Sequence, residues 1–210
     1  MIKLGGSLIT DKRGEAAPRT EVLERLAREI AAARPQMQEN LLIGHGSGSF
    51  GHAAAARHGV GRGPLAPGSA FGVSETRVVA ARLHALVCDC LLQAELVPFT
   101  WAPSSALVAR AGQPVQAAIE PLLAALDFDL LPVVYGDVVM DREWGAAICS
   151  TEAVLQYLAG RLRRRGVPVQ RVLWLGATDG IYDAAGASIP RIDRHSYRQA
   201  RRMIGATDGT

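Results

Sequence analysis

The stretch Leu41-Leu42-Ile43-Gly44-His45-Gly46-Ser47-Gly48-Ser49-Phe50-Gly51-His52 decides the fold. Three consecutive apolar residues with no polar alternation predict a strand buried on both faces, as in a parallel sheet. The strand runs into a glycine-rich turn. His52 closes that turn where a helix is expected to begin, ahead of the run Ala53 to Ala56. Such sheets gather ligand sites at the carboxyl ends of their strands.

The same alternation extends in both directions. Toward the N-terminus, residues 1–4 form a short apolar strand ending in Gly5-Gly6-Ser7, and a helix is predicted from Thr20, as N-cap, to Arg34, before Pro35. Toward the C-terminus, Gly59 to Gly72 is rich in glycine and proline and predicts a loop. A long helix is expected from Ser74 to Leu96 with Val78, Val79, Leu83, Leu86, Val87 and Leu91 inward. Strands are expected at Val97–Trp101, Leu130–Val134 and Val169–Leu175, and helices at Ala117–Leu126, from Ser150 to the basic run Arg161–Arg165, and near Asp193. Strands and helices in this order predict an α/β fold with a mainly parallel sheet. The turns Gly5-Gly6-Ser7, Gly44–His52, Tyr135-Gly136-Asp137 and Gly176–Gly180 each follow a strand, so they converge on one sheet edge in this reading.

Composition narrows the classes. The chain has 210 residues, 49% hydrophobic, enough for a sizeable core. A net charge of +3 is too mild to imply nucleic-acid or membrane binding, and no apolar run nears the roughly 18 residues of a membrane span. No signal-peptide core opens the chain, and Cys88, Cys90 and Cys149 lack C-x-x-C spacing, so buried thiols in a reducing cytoplasm are expected. Of the 23 basic residues only Lys3 and Lys12 are lysine. A lysine in an apolar strand is costly unless an anion pairs with it, and a compact ammonium suits a moving phosphoryl group.

The spacing Gly46-x-Gly48-x-x-Gly51 matches a dinucleotide fingerprint but fails its context, because the first acid after Gly51 is Glu75, at a helix start rather than a strand end. A phosphate loop of the Gly-Lys-Ser/Thr type is absent as well. What remains is a glycine turn able to cradle an anion, with His52 as a donor beside it. His45 is open between a structural and a functional role, while His58, His84 and His195 have no supporting context and are taken as structural. Asp137, Glu152 and Asp179 can each be a magnesium ligand, a ribose contact or a plain turn or helix-start acid.

Ile2-Lys3-Leu4-Gly5-Gly6-Ser7-Leu8-Ile9-Thr10-Asp11-Lys12, with His45–His52, Pro132–Asp137 and Asp179-Gly180-Ile181-Tyr182, resembles the amino acid kinase superfamily, and within it the isopentenyl phosphate kinases. The resemblance implies a three-layer αβα sandwich, a homodimer, and magnesium-dependent transfer of the ATP γ-phosphoryl group to a phosphate or phosphonate oxygen. It implies that Lys3, Gly5, Gly6 and Ser7 face the ATP phosphates with Gly48 beside them, and that Lys12 stabilises the transferring group. It further implies that His52 binds the acceptor phosphate with help near Ser47 and Thr151, and that Asp179 and Gly180 lie near the nucleotide. No protein metal ligand is assigned. Three departures stand against the pattern. Thr151-Glu152 occupies the place of a Gly-Asp pair, Gly176-Ala177 replaces the first two residues of the nucleotide turn, and residues 1–210 read as one domain lacking the C-terminal part of its nucleotide half. The alternatives are another small-molecule kinase, such as a fosfomycin kinase, or a non-catalytic oxyanion-binding homologue.

Overall fold

The computed structural model describes all residues except 12, 13, 15, 38, 62 and 204–210. Lys12, singled out above, lies outside the described residues. The elements in the first half are β1 (Ile2–Leu4), α1 (Gly6–Ile9), α2 (Thr20–Ala33), β2 (Ile43–His45), α3 (Gly48–His58), α4 (Ala70–Gln93), β3 (Pro98–Thr100) and α5 (Pro103–Ala106). Then come β4 (Leu107–Arg110), β5 (Gln113–Ala117), α6 (Glu120–Asp127), β6 (Leu131–Tyr135), β7 (Asp137–Asp141), β8 (Gly145–Cys149), α7 (Thr151–Arg164), β9 (Leu173–Leu175) and α8 (Tyr197–Met203). The chain divides into two compact units, Met1–Leu175 and Gly176–Thr210.

In the first unit a five-stranded parallel sheet has the order β3-β6-β2-β1-β9. Side chains alternate across it, so each strand feeds two cores. Ile2, Leu4, Ile43, Leu131 and Val133 pack on one face with Leu23, Leu26 and Ile30 of α2 and Leu83, Val87 and Leu91 of α4. Leu42 and Val134 pack on the other with Leu122 and Leu126 of α6 and Val154, Leu155, Leu158 and Leu162 of α7. Helices on both faces of a mainly parallel sheet make the expected α/β sandwich. Burial of β6 on both faces explains its uninterrupted apolar sequence, and every residue of Leu131–Tyr135 is buried.

Several boundaries differ from expectation. Thr20 is the first helical residue of α2, and Arg19 holds the cap without a side-chain hydrogen bond. The strand expected at Leu41–Ile43 runs from Ile43 to His45, so its buried end reaches into the glycine turn. α3 already begins at Gly48, which puts His52 inside the helix rather than at its start. α4 begins at Ala70, inside the expected loop, and its buried side is Gly72, Thr76, Ala80, Leu83, His84, Val87 and Leu91, while Val78 and Leu86 are exposed. β9 is shorter than expected and forms the sheet edge, with Leu173 and Trp174 exposed.

A second sheet was not expected at all. Tyr135-Gly136-Asp137 is a one-residue break between β6 and β7, not a terminal turn, and it carries the chain into a four-stranded sheet of order β5-β4-β7-β8. β4 pairs antiparallel with β5 and parallel with β7, and β7 pairs antiparallel with β8. Asp141 anchors it by accepting the backbone N–H groups of Ala111, Gly112, Glu143 and Trp144 at 2.8–3.1 Å. Ala55, Val60, Val138 and Ala146 form a third small core beneath this sheet.

In the second unit Tyr182 and Ser188 form an antiparallel bridge, and Asp183 accepts the N–H groups of Ala185 and Ala187. Asp193 accepts the N–H groups of His195 and Ser196 ahead of α8. Among the described residues no helix is long and apolar enough to cross a membrane.

Candidate active site

The site lies at the carboxyl ends of β1 and β2, where two glycine turns touch. A Cβ on Gly6 would stand 2.7 Å from the Gly48 nitrogen, so backbone meets backbone with no room for a side chain. Gly48 has φ +50° and its absent Cβ would collide with Thr10, a position that favours glycine twice over. Thr10, fully buried, ties the two turns together: its hydroxyl donates to the Gly6 carbonyl at 2.8 Å and accepts the Ser49 N–H at 3.0 Å.

Three helices start here. α1 follows its cap Gly5, α3 follows its cap Ser47, and α7 follows Ser150, whose hydroxyl accepts the Ala153 N–H at 3.2 Å. A Cβ on Gly136 would lie 3.5 Å from the Thr151 nitrogen and 3.7 Å from the Ser47 nitrogen, so the starts of α3 and α7 meet across the β6–β7 break. Opening turns of helices present N–H groups without intrahelical acceptors and the positive end of the macrodipole. Such a cradle favours an anion.

Lys3 supplies the side-chain charge. Ile2 and Leu4 point into the α2–α4 core, so alternation turns Lys3 toward α7. There its Nζ meets Glu152 Oε1 at 2.6 Å, and the lysine side chain is only 13% exposed. The anion that a lysine in this strand requires is therefore Glu152. Partial burial alone would raise the Glu152 carboxyl, but hydrogen bonding to Lys3, helped by N–H and Ser150 contacts at the helix start, holds it below the usual carboxylate range. The sequence left Glu152 as a metal or ribose ligand or a helix-start acid; it is the partner of Lys3.

His52 stands on the first turns of α3 with its Nδ1 2.6 Å from the Gly48 carbonyl. A carbonyl only accepts, so Nδ1 carries the proton and donates. Nε2 is then an acceptor in the neutral ring and becomes a donor only in the imidazolium. The ring is exposed and lines a small pocket with Ser47, Thr76, Ala80, Asp137, Val138 and Ile148. Thr76 turns its hydroxyl back to the Gly72 carbonyl at 2.7 Å. Of the small residues on α4, Ala80 lines this pocket, whereas Ala85 is exposed to solvent.

Other expected residues have different duties. Thr151 is buried and its hydroxyl donates to the His45 carbonyl at 2.6 Å, so only its backbone N–H is left for a ligand. Asp137 is buried and accepts the N–H groups of Ser104 at 3.1 Å and Val138 at 2.8 Å. Burial pushes its carboxyl up, against those hydrogen bonds, and the bond to Ser104 holds the start of α5. Ser7 is the second residue of α1 and half-buried. Asp179 and Gly180 belong to the second unit, in an exposed turn where the Asp179 N–H donates to the Tyr182 hydroxyl at 3.3 Å. Cys90 and Cys149 are buried and Cys88 partly so, and burial pushes all three thiols up. Two features were missed from sequence: the Thr10 clamp, which nothing in its local pattern announced, and a buried pair of histidines, His45 and His84, one of them taken as structural.

Comparison with known proteins adds independent findings. The model of the amino acid kinase family matches residues 1–210. The isopentenyl phosphate kinase of Methanothermobacter thermautotrophicus is 34% identical over 189 residues, covering 87% of this chain and 68% of that protein. Solved structures of an isopentenyl phosphate kinase superpose with a TM-score of 0.78 at 34% identity, over 86% of this chain and 72% of theirs. A product complex of the Thermoplasma acidophilum isopentenyl phosphate kinase gives 0.73 at 28% identity, over 86% and 71%.

Proposed function

The chain belongs to the amino acid kinase family, and from that premise we propose that it transfers the γ-phosphoryl group of ATP to isopentenyl phosphate, giving isopentenyl diphosphate and ADP. One observation carries the choice of acceptor. His52, a side chain suited to a phosphate, stands at the mouth of a pocket lined by Ala80, Val138 and Ile148, on the same helix start that meets the turn of Lys3. A phosphate head with an apolar tail matches that pairing of a cationic donor and an apolar wall. The relatives named above support the same acceptor.

The chemistry follows from charge. Donor and acceptor are both phosphates, so the enzyme must offset their repulsion and align an in-line displacement. The N–H groups opening α1 and α3 and the Lys3 ammonium would hold the donor phosphates around Gly5, Gly6, Ser7 and Gly48. Glu152 would keep Lys3 oriented until the phosphates arrive. Imidazolium Nε2 of His52 would hold the acceptor phosphate, with backbone N–H groups near Ser47 and Thr151. No general base is needed, because a phosphomonoester carries about −1.5 to −2 charges near neutral pH. Lys12 is assigned the transferring group and Asp179 and Gly180 the nucleotide by the family resemblance alone.

Magnesium is part of the proposal. Among the described residues no group of three or more His, Cys, Asp and Glu is placed to cage a metal. Such a cation would be held chiefly by the substrate phosphates and water. A homodimer and a cytoplasmic setting belong to the same reading.

The test is ADP release in the presence of magnesium and ATP, with isopentenyl phosphate, fosfomycin and a panel of amino acids offered separately. Release with isopentenyl phosphate alone is expected. Release with fosfomycin or an amino acid instead would replace this acceptor, and nucleotide binding without release would make the chain a binding homologue.

A further inference from the structure

His45, the last residue of β2, is held from four sides. Its carbonyl accepts the Thr151 hydroxyl at 2.6 Å and the Gly136 N–H at 3.1 Å. Its Nδ1 lies 3.2 Å from the Gly46 carbonyl, and its Nε2 lies 3.0 Å from Nδ1 of His84 on α4. His84 in turn has Nε2 at 2.8 Å from the Thr100 hydroxyl and 3.4 Å from Cys88 Sγ. Tyr135 stacks on both rings, with centroids 5.6 Å from His45 and 4.3 Å from His84.

With both rings neutral, one proton arrangement satisfies this chain. The Gly46 carbonyl cannot donate, so His45 Nδ1 must, and neutral His45 then accepts at Nε2. His84 therefore donates from Nδ1 and accepts at Nε2, where the Thr100 hydroxyl and the Cys88 thiol are the available donors. Burial favours the neutral rings, lowering His45 to about 3 and His84 to about 4. Tyr135, Thr100 and Cys88 are the polar side chains set against the two rings, and among the described residues no ionised side chain is bonded to either.

We propose that His84 is a positioning residue for phosphoryl transfer: through the His45 tautomer it fixes the Gly46 carbonyl, and with it the Gly46–Gly48 turn that meets Gly6. The route is short and continuous. Gly46 also donates its N–H to the Leu4 carbonyl at 2.9 Å, and a Cβ on Gly46 would stand 2.8 Å from the Gly6 nitrogen, so Gly46 is packed directly against the Gly5–Gly6 turn. Second groups that set a histidine tautomer are a general device for orienting sites, and small misplacements near the chemistry cost rate heavily. The turnover part of the proposal rests on the kinase reading above; the tautomer part does not.

The experiment compares the wild type with His84→Asn and His84→Leu. An asparagine amide nitrogen superposes on the histidine Nδ1 position and keeps the donor, whereas leucine removes it. Long-range 15N–1H correlation spectra of histidine-labelled protein at neutral pH should show His45 protonated at Nδ1 in the wild type and in H84N. In H84L the His45 pattern should change, with folding checked by thermal melting. With isopentenyl phosphate as acceptor, kcat should fall about tenfold or more in H84L and stay within about threefold in H84N. A wild-type His45 protonated at Nε2 would overturn the proposal, as would an H84L protein with wild-type spectrum and wild-type kcat. A wild type with the expected tautomer but no turnover would fault the kinase reading and leave the relay standing.

Discussion

At the residue scale the site is built on pairings that a sequence shows only in part. Lys3 was legible because a lysine is out of place in an apolar strand, but its partner Glu152 lies far along the chain and only the fold joins them. On the proposed reading the Lys3 ammonium holds the donor phosphates, so Lys3→Ala should lower kcat about 10²–10³-fold, as read from initial rates. His52 was legible as a donor beside a glycine turn. The bond from its Nδ1 to the Gly48 carbonyl adds that Nε2 donates only from the imidazolium. His52→Ala should therefore abolish most turnover while leaving ATP affinity by calorimetry nearly unchanged; a collapse of ATP affinity would move His52 to the donor side.

At the element scale α4 carries the sharpest lesson. Its first half buries Gly72, Thr76 and Ala80, and its second half buries Leu83, His84, Val87, Cys90 and Leu91. A search for large apolar residues at helical spacing passes over the small and polar residues that face in, and turns the exposed Val78 and Leu86 inward instead. Small and polar residues face in because they pack on α3 and line the His52 pocket, not because the helix is weak. Glu75 joins the two helices, with His58 Nε2 at 2.5 Å and Arg57 at 3.4 Å. The second sheet was illegible for a related reason. β5 contains Pro114 and has no buried–exposed alternation, and β8 is mostly small residues, so neither offers a strand period to read. What organises that sheet is Asp141, whose four backbone N–H partners outweigh the upward push of desolvation and hold its carboxyl below the usual range. A depressed folded value means stabilisation present at neutral pH and lost as pH falls through that value. Asp141→Asn should accordingly lower the melting temperature at pH 7, and the difference from wild type should shrink in acid.

At the scale of the whole molecule, the parallel sheet was readable because strands buried on both faces are written as unbroken apolar runs. Leu41–Ile43 and Leu131–Val134 are such runs, and they place the two glycine turns and the β6–β7 break on one edge. That edge is where Lys3, His52 and the helix starts gather, so topology rather than any single motif assembles the site. The core that holds the edge in place is sensitive to volume: Leu83→Ala, at a fully buried position, should cost about 2–5 kcal/mol in urea unfolding. Asp179 and Gly180, in the second unit, rest on the family likeness, because their exposed turn carries no geometric signature of its own. The measurement that bears most directly on the whole account is phosphorus NMR of the protein with ATP, magnesium and isopentenyl phosphate. The account predicts that the monophosphate signal is replaced by the coupled pair of a diphosphate as ATP becomes ADP. Loss of the γ-phosphate to free inorganic phosphate, with the isopentenyl phosphate signal unchanged, would contradict it.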